Sequence, residues 1–374
     1  MSELNASNLR KEHGNEGPDL VGVTELTSPY FMVPPSGTTA ERPQNPQKGT
    51  LRFNTDIGSL EYFKGDTIGW ESIDRVSSAP IGGHGLVLGG NPGGHNTIGY
   101  VTIATTGNAA DYGDLTVGVA VGGASGSTTR AVIGGGSQSP NTNTIGYGEF
   151  ATLGNFSDFG DLTAERHWVQ SGNDKTRGLF IGGHGSPSLL NTIDYITYTS
   201  TGNAQDFGDI TNGETTVTGN GPWGNSTRAL FGGGTPNPTN VIEYVIVQSA
   251  GNGVDFGDFV RNSCRTARCA DSVRAIAAGG QNDPGSTRYN SIEYVTTSTL
   301  GNTSDFGDLT QARGDFTAFA DSTRGVFGGG NAPSSVNTID YITIASTGNA
   351  NDFGDLTITV DHCAGCSNMN GGVS

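Results

Sequence analysis

Twelve aspartates stand in six copies of one tetrad, Asp-aromatic-Gly-Asp, which open at Asp111, Asp158, Asp206, Asp255, Asp305 and Asp352. Paired carboxylates on a turn are ligands for a hard cation such as calcium. The tetrad lacks the five or six oxygens at alternating positions of a dedicated calcium loop, so its Asp and Gly are read as turn residues. Five arginines recur in step with it: Arg130, Arg177, Arg228, Arg274 and Arg324. A guanidinium repeated unit after unit fits a structural tie, to a tetrad carboxylate or to backbone carbonyls, whereas catalysis needs one site. In the first unit His84 takes the arginine position.

The remaining chemistry is sparse. Cys264, Cys269, Cys363 and Cys366 are too few and too clustered for a disulfide framework and are expected to be free thiols on strands. The run from His362 to Cys366 has zinc-knuckle spacing, but a four-ligand site needs a second such pair, and Cys264 and Cys269 are spaced too widely. His84, His95, His167, His184 and His362 share no metal-ligand spacing, so no metal or cofactor is expected. No nucleophile elbow, phosphate loop or His-Glu-x-x-His motif occurs. Departures from the repeat are where an activity would show: Glu165, Arg166, His167 and Trp168, and the insertion at Pro222 and Trp223. Trp168 and Trp223 are candidate ligand-binding residues, each a flat face on which a sugar could stack, with core filling as the alternative for Trp168.

The elements that position these residues follow from composition and period. The 374 residues include 61 Gly and only 15% charged side chains, which suits many short strands joined by tight turns. A formal charge of −17 argues against a nucleic-acid partner, because phosphate binding needs Lys and Arg to release counterions. No apolar run reaches the roughly 18 residues of a membrane span, and the first residues lack the apolar core of a secretory signal. The expectation is a chain made in a cytoplasm that does not insert in a membrane.

Successive tetrads lie 47, 48, 49, 50 and 47 residues apart. Each follows a Gly-Asn pair and a β-rich segment such as Thr338 to Ile344; upstream lies a short apolar strand ending in glycines, such as Arg324 to Gly330. A third run, such as Asp315 to Ala320, separates one tetrad from the next arginine. Three β-rich runs plus a short fourth around the tetrad make one four-stranded propeller blade, at the propeller period. The reading is an all-β chain whose residues 79–374 form a six-bladed β-propeller. The pattern resembles the kelch repeat, with the tetrad aromatic (Tyr112 in the first copy, Phe in the rest) in place of the usual outer-strand Trp, hence kelch-like. The fuller repeat, Thr-Arg-Gly-Val-Phe-Gly-Gly-Gly, Asn-Thr-Ile-Asp-Tyr-Ile and Gly-Asn-Ala-x-Asp-Phe-Gly-Asp-Leu, is similar to repeats of marine bacteriophage structural proteins.

The first unit opens directly at Gly85 to Gly90 without a preceding inner strand, while residues 358–367 follow the last tetrad as an orphan run. Residues 358–367 are therefore expected to complete blade one beside Leu86 to Leu88, so that no edge stays unpaired. Residues 1–33 are polar and broken by Gly-Pro and Ser-Pro, and read as an extended arm for assembly. Residues 34–78 read as a small β-module: a hairpin through Leu51 to Thr55 and Leu60 to Tyr62, then a strand at Trp70 to Ile73. Gly49 to Thr55 and Gly65 to Trp70 resemble a module near the N-termini of phage tail-fibre and appendage proteins. That resemblance implies a virion structural protein, a tail-fibre or appendage component whose propeller presents a surface to the host, with no enzymatic activity. Its partners would be other virion proteins or copies of itself through residues 1–78, and a host-surface glycan or protein. The alternatives are a head-decoration or baseplate protein with a bracing role, and a carbohydrate-active enzyme whose paired carboxylates lie far apart in sequence.

Overall fold

The computed structural model describes residues 34–56, 58–66, 69–72, 83–137, 140–186, 188–211, 219–234, 239–262, 264–282 and 287–372. Over these residues the chain is all-β, with no α-helix and seven small sheets, built largely from antiparallel pairs. It divides into two compact units, Met1–Ser77 and Ser78–Ser374. The arm read at residues 1–33 lies outside the described residues.

The first unit holds one sheet in the order Ser36–Gly37, Leu51–Asn54, Ser59–Phe63, Trp70–Ser72, its outer Ser36–Gly37 pair parallel to Leu51–Asn54. Strand alternation puts Arg52, Asn54 and Glu61 on one face, where they are buried. Glu61 accepts from Arg42 Nη2 at 2.5 Å, Arg52 Nη1 at 3.0 Å and Asn54 Nδ2 at 3.1 Å. Those bonds supply the carboxylate with the partners that burial demands. Both guanidinium groups lie 5.9 Å from the Trp70 ring centroid.

The second unit contains the repeat, and its first sheet is assembled from the two ends of that unit. Ala364–Ser367 runs antiparallel to His84–Leu88, with Ala364 opposite Leu88 and Ser367 opposite Gly85, and Thr97–Thr102 and Ala110–Asp114 follow. Residues 358–360 do not share in this; they extend the outer strand Asn351–Val360 of the sixth sheet, where Val360 pairs with Val336. The second, third and sixth sheets are Gly123–Gly126 to Ser157–Asp161, Gln170–Asn173 to Gln205–Asp209, and Thr317–Ala320 to Asn351–Val360, four strands each.

The fourth sheet departs from this plan. It has three strands, Arg228–Gly232, Val241–Ile246 and Val254–Asp258. Gly219–Asn220 pairs instead, in parallel, with Thr266–Ala270 of the fifth sheet, which continues through Arg274–Ala278 and Ser291–Thr296 to Ser304–Asp308. The C-terminal residues Asn370 and Gly371 supply contacts beside it. Asn370 accepts from Ala270 N–H and donates to Pro222 O, and Gly371 O accepts from Ser226 N–H.

Apolar clusters sit between successive sheets. One joins Leu179 and Phe207 of the third sheet to Phe231 and Val245 of the fourth; another joins Val326 and Phe353 of the sixth to Val87 and Val101 of the first. The tetrad explains how the sheets approach. It lies in the outermost strand and not in a turn. Its aromatic is the extra residue of a β-bulge, as at Phe159, which falls between the pairs Ile145 with Gly160 and Gly146 with Asp158. A bulge re-aims a side chain, and here it turns the ring into the core. Phe159 is buried, edge-on to Tyr147 with centroids 5.7 Å apart. The following Gly160 has φ +147°, and a Cβ there would stand 2.4 Å from Gly202 O of the next sheet, so only glycine permits the contact. Gly202 N–H then donates to Phe159 O at 2.7 Å, and Asp161 N–H donates to the Asn203 side chain at 3.1 Å. The same bonds recur where the sixth sheet meets the first, Gly107 N–H to Phe353 O at 2.8 Å and Asp355 N–H to Asn108 at 3.0 Å.

Candidate functional site

The recurrent residues are accounted for by packing. Arg130, Arg177, Arg228, Arg274 and Arg324 pair with no tetrad aspartate. Each stacks on the Tyr of its own sheet, 4.7 to 4.9 Å from the ring centroid. Each also donates Nη1 to a carbonyl of the next sheet: Tyr198, Val247, Thr297, Ile344 and Ile103. His84 acts likewise in the first sheet, edge-on to Tyr100 and 3.4 Å from Phe150 O. The leading tetrad aspartates Asp111, Asp158, Asp206, Asp255, Asp305 and Asp352 are exposed at the outer edge. Among the described residues no three His, Cys, Asp or Glu side chains are grouped to hold a metal ion.

Cys264, Cys269, Cys363 and Cys366 are free and buried. Strand alternation separates the last two: Cys363 packs between the sixth and first sheets and Cys366 between the first and second. One ion could not reach both. Burial pushes the Cys363 thiol up to about 12 and raises Cys366 as well, which keeps both protonated.

Trp223 is not a surface ligand platform. It is 1% exposed, stacked on Phe259 with centroids 5.4 Å apart, and packs in the core beside the fourth sheet, which has three strands among the described residues. Arg268 lies over it at 4.7 Å, bonded to Thr266 Oγ1 and Gly232 O; burial lowers this guanidinium to about 9.

Trp168 belongs to a different arrangement. The innermost strands of neighbouring sheets touch, and one residue just ahead of each lies in left-handed backbone: Val121, Trp168, Arg265, Asp315 and His362, with φ of +54° to +60°. Their main chains form a hydrogen-bonded belt. Trp168 N–H donates to Val121 O, Val121 N–H to His362 O, His362 N–H to Asp315 O, and Asp315 N–H to Arg265 O, at 2.6 to 3.1 Å. A residue with a Cβ gives up about 1–2 kcal/mol in this conformation. Among the described residues every other positive-φ position is glycine, yet these five carry side chains, four of them aromatic or ionisable.

Those side chains meet. Asp315 Oδ2 lies 3.2 Å from Arg265 Nη1, and its Oδ1 lies 3.3 Å from His362 Nε2. His362 Nδ1 reaches Asp361 Oδ1 at 2.7 Å, and Asp361 also accepts from Asn331 and Ser335. The Arg265 guanidinium lies 5.8 Å from the Trp168 ring centroid, and His167 and His184 flank that indole at 4.9 and 6.4 Å. Burial alone would lower the His362 pKa, but the bond to Asp361 and the charge of Asp315 outweigh it and hold the imidazole above its ordinary value. Burial likewise opposes ionisation of Asp361, and its bonds from His362, Asn331 and Ser335 still bring it down to about 2. His167 moves the other way, lowered by burial and by His184.

Of the sequence candidates, then, Trp168 joins the cluster and Trp223 does not. Arg265, Asp315 and Asp361 were not singled out, and His362 was weighed only as a metal ligand, although a signal exists. Each belt residue stands ten positions after the opening Asp of a tetrad, a column reading Val121, Trp168, Thr216, Arg265, Asp315, His362; Thr216 lies outside the described residues. In a chain of near-identical units this column differs in every copy. No family model and no curated protein matches the chain.

Proposed function

We propose that residues 79–374 form a six-bladed, kelch-like β-propeller that acts as a rigid, non-catalytic binding platform on a virion, as a tail-fibre or appendage component. The observation that carries the propeller reading is the repetition of one inter-sheet junction from each sheet to the next, including from the sixth, through Phe353 and Asp355, back to Gly107 and Ala109 of the first. The pairing of Ala364–Ser367 with His84–Leu88 is the strand exchange that such a ring needs to leave no edge open.

The binding reading is supported by the contrast between scaffold and belt. Six sheets built on one repeat make a frame, and the column that differs in every unit brings Trp168, Arg265, Asp315 and His362 together where the inner strands converge. Rigid scaffolds with variable connections commonly carry recognition in those connections. The virion assignment rests on the resemblance of the repeats and of Gly49 to Thr55 to phage structural proteins, with residues 1–78 as the attachment segment.

Two measurements test it. Cryo-EM class averages of the full chain should show a six-lobed disc; an open arc or another lobe number would overturn the propeller. Mass spectrometry of purified virions should find the chain as a stoichiometric component, and its confinement to infected-cell lysate would overturn the virion role.

A further inference from the structure

The belt suggests what the platform takes, an inference that rests on the platform reading above. We infer that the cluster of Trp168, Arg265, Asp315 and His362 binds a neutral saccharide, one pyranose face lying on the indole of Trp168 while hydroxyls bridge Arg265, Asp315 and His362.

Three observations carry this. First, Trp168 is only partly buried, and its indole N–H has no hydrogen-bond partner among the described residues. An amphipathic ring held rigid by left-handed backbone, with a free donor at its edge, suits a ligand with an apolar C–H face and a polar rim. Second, the charged groups beside it are in contact without being sealed. The Arg265 side chain is 25% exposed and that of His362 20%, and both contacts to Asp315, at 3.2 and 3.3 Å, are longer than the 2.7–2.9 Å of a tight charge-assisted bond. Vicinal hydroxyls each donate and accept, so one can bridge a guanidinium and a carboxylate set at this spacing. Third, Arg265 and His362 face the carboxylates of Asp315 and Asp361, within a chain of formal charge −17. An acidic polysaccharide would meet repulsion from a molecule of this net charge.

The test uses the full chain and neutral gluco-, manno-, galacto- and chito-oligosaccharides, followed by saturation-transfer NMR and tryptophan fluorescence. At least one series should bind saturably in the micromolar to millimolar range. Trp168→Ala should weaken it by tenfold or more, and Asp315→Asn, which keeps shape while removing charge, should also weaken it. Trp168→Phe should retain part of the affinity, which separates loss of stacking from misfolding. The inference fails if no neutral series binds, if only acidic oligosaccharides bind, or if binding survives Trp168→Ala. None of these failures touches the virion role, which stands or falls on whether purified particles contain the chain.

Discussion

Arg166 and Asp194 form a fully buried ion pair, Nη2 to Oδ2 at 2.8 Å, across the junction between the second and third sheets. Arg313 and Asp340 repeat it between the fifth and sixth at 3.1 Å. Where the first sheet meets the second, the same two positions are Val119 and Gly146, which line a cavity of about 20 Å³. Where the sixth meets the first they are Val360 and Gly99, beside a cavity of about 10 Å³. At these two junctions cation and carboxylate are both absent, whereas the fourth and fifth sheets keep a buried carboxylate at the Asp194 position, Glu243 and Glu293, bonded by Thr211 and Thr303.

The chain therefore contains its own double-mutant control. Arg166→Val or Asp194→Gly alone should cost about 3–5 kcal/mol in urea unfolding by stranding a buried charge. The pair of changes together should cost less than the sum, because it recreates the Val119 and Gly146 arrangement. Additive losses would show that the two side chains are not coupled.

His84 stands where the other five sheets have an arginine on a tyrosine. His84→Arg should raise the melting temperature, by the equivalent of about 0.5–1 kcal/mol, through cation–π contact with Tyr100 and a bond to the Phe150 carbonyl. Arg274→Lys should lower it, since an ammonium cannot both stack and donate as the planar fork does. Thermal unfolding of the two variants reads both signs.

The His362 imidazole, held above its ordinary value of about 6.5, contributes stability that is fully present below that value and is lost as pH rises through the raised one. An NMR titration should place its proton loss above 6.5, and His362→Gln should flatten the alkaline fall in stability. A His362 titration at or below 6.5 would contradict the assigned contacts with Asp361 and Asp315.

Glu61 behaves with the opposite sign. Arg42 first, then Asn54 and Arg52, hold its carboxyl below the usual range despite burial. Its contribution is present above the ordinary glutamate value and disappears as pH falls through the lowered one. Hydrogen exchange at Leu51–Asn54 and Ser59–Phe63 should accelerate on acidification, and Glu61→Gln should remove most of that dependence.

Removing residues 369–374 leaves the strand Ala364–Ser367 intact but deletes the contacts of Asn370 and Gly371 with Ala270, Pro222 and Ser226. Exchange should then rise at Ser226 and Arg228–Gly232 while His84–Leu88 stays protected. A cut before Ala364 should instead expose His84–Leu88 and promote dimers, which size-exclusion chromatography would detect.

Much of this fold was legible because the period is regular. Tetrad spacing gave the number of units, and the missing inner strand before Gly85 pointed to the C-terminal run as its partner. Residues 358–360 were misplaced because their alternation continues the outer strand without a break. A fourth strand was expected around the tetrad, but its Asp and Gly were read as turn residues because they favour turns, while the close approach at its bulge depends on Gly202 and Asn203 of the next sheet, about forty residues on. Trp223 looked like a surface residue because it sits in an insertion, and nothing local records that Phe259 and Arg268, far on in the sequence, enclose it. The belt residues were hidden for a related reason: Arg265, Asp315 and His362 are far apart in sequence, and only the convergence of the inner strands makes them neighbours.

The pairing of Ala364–Ser367 with His84–Leu88 also sets an order on folding. The partners are separated by nearly the whole repeat array, so this contact has the highest loop-closure cost in the molecule and forms late. Until residues 364–367 have been synthesised and have docked, the newborn chain carries an uncovered apolar edge at Leu86 to Leu88, the segment through which incomplete chains would associate and which a chaperone would shield.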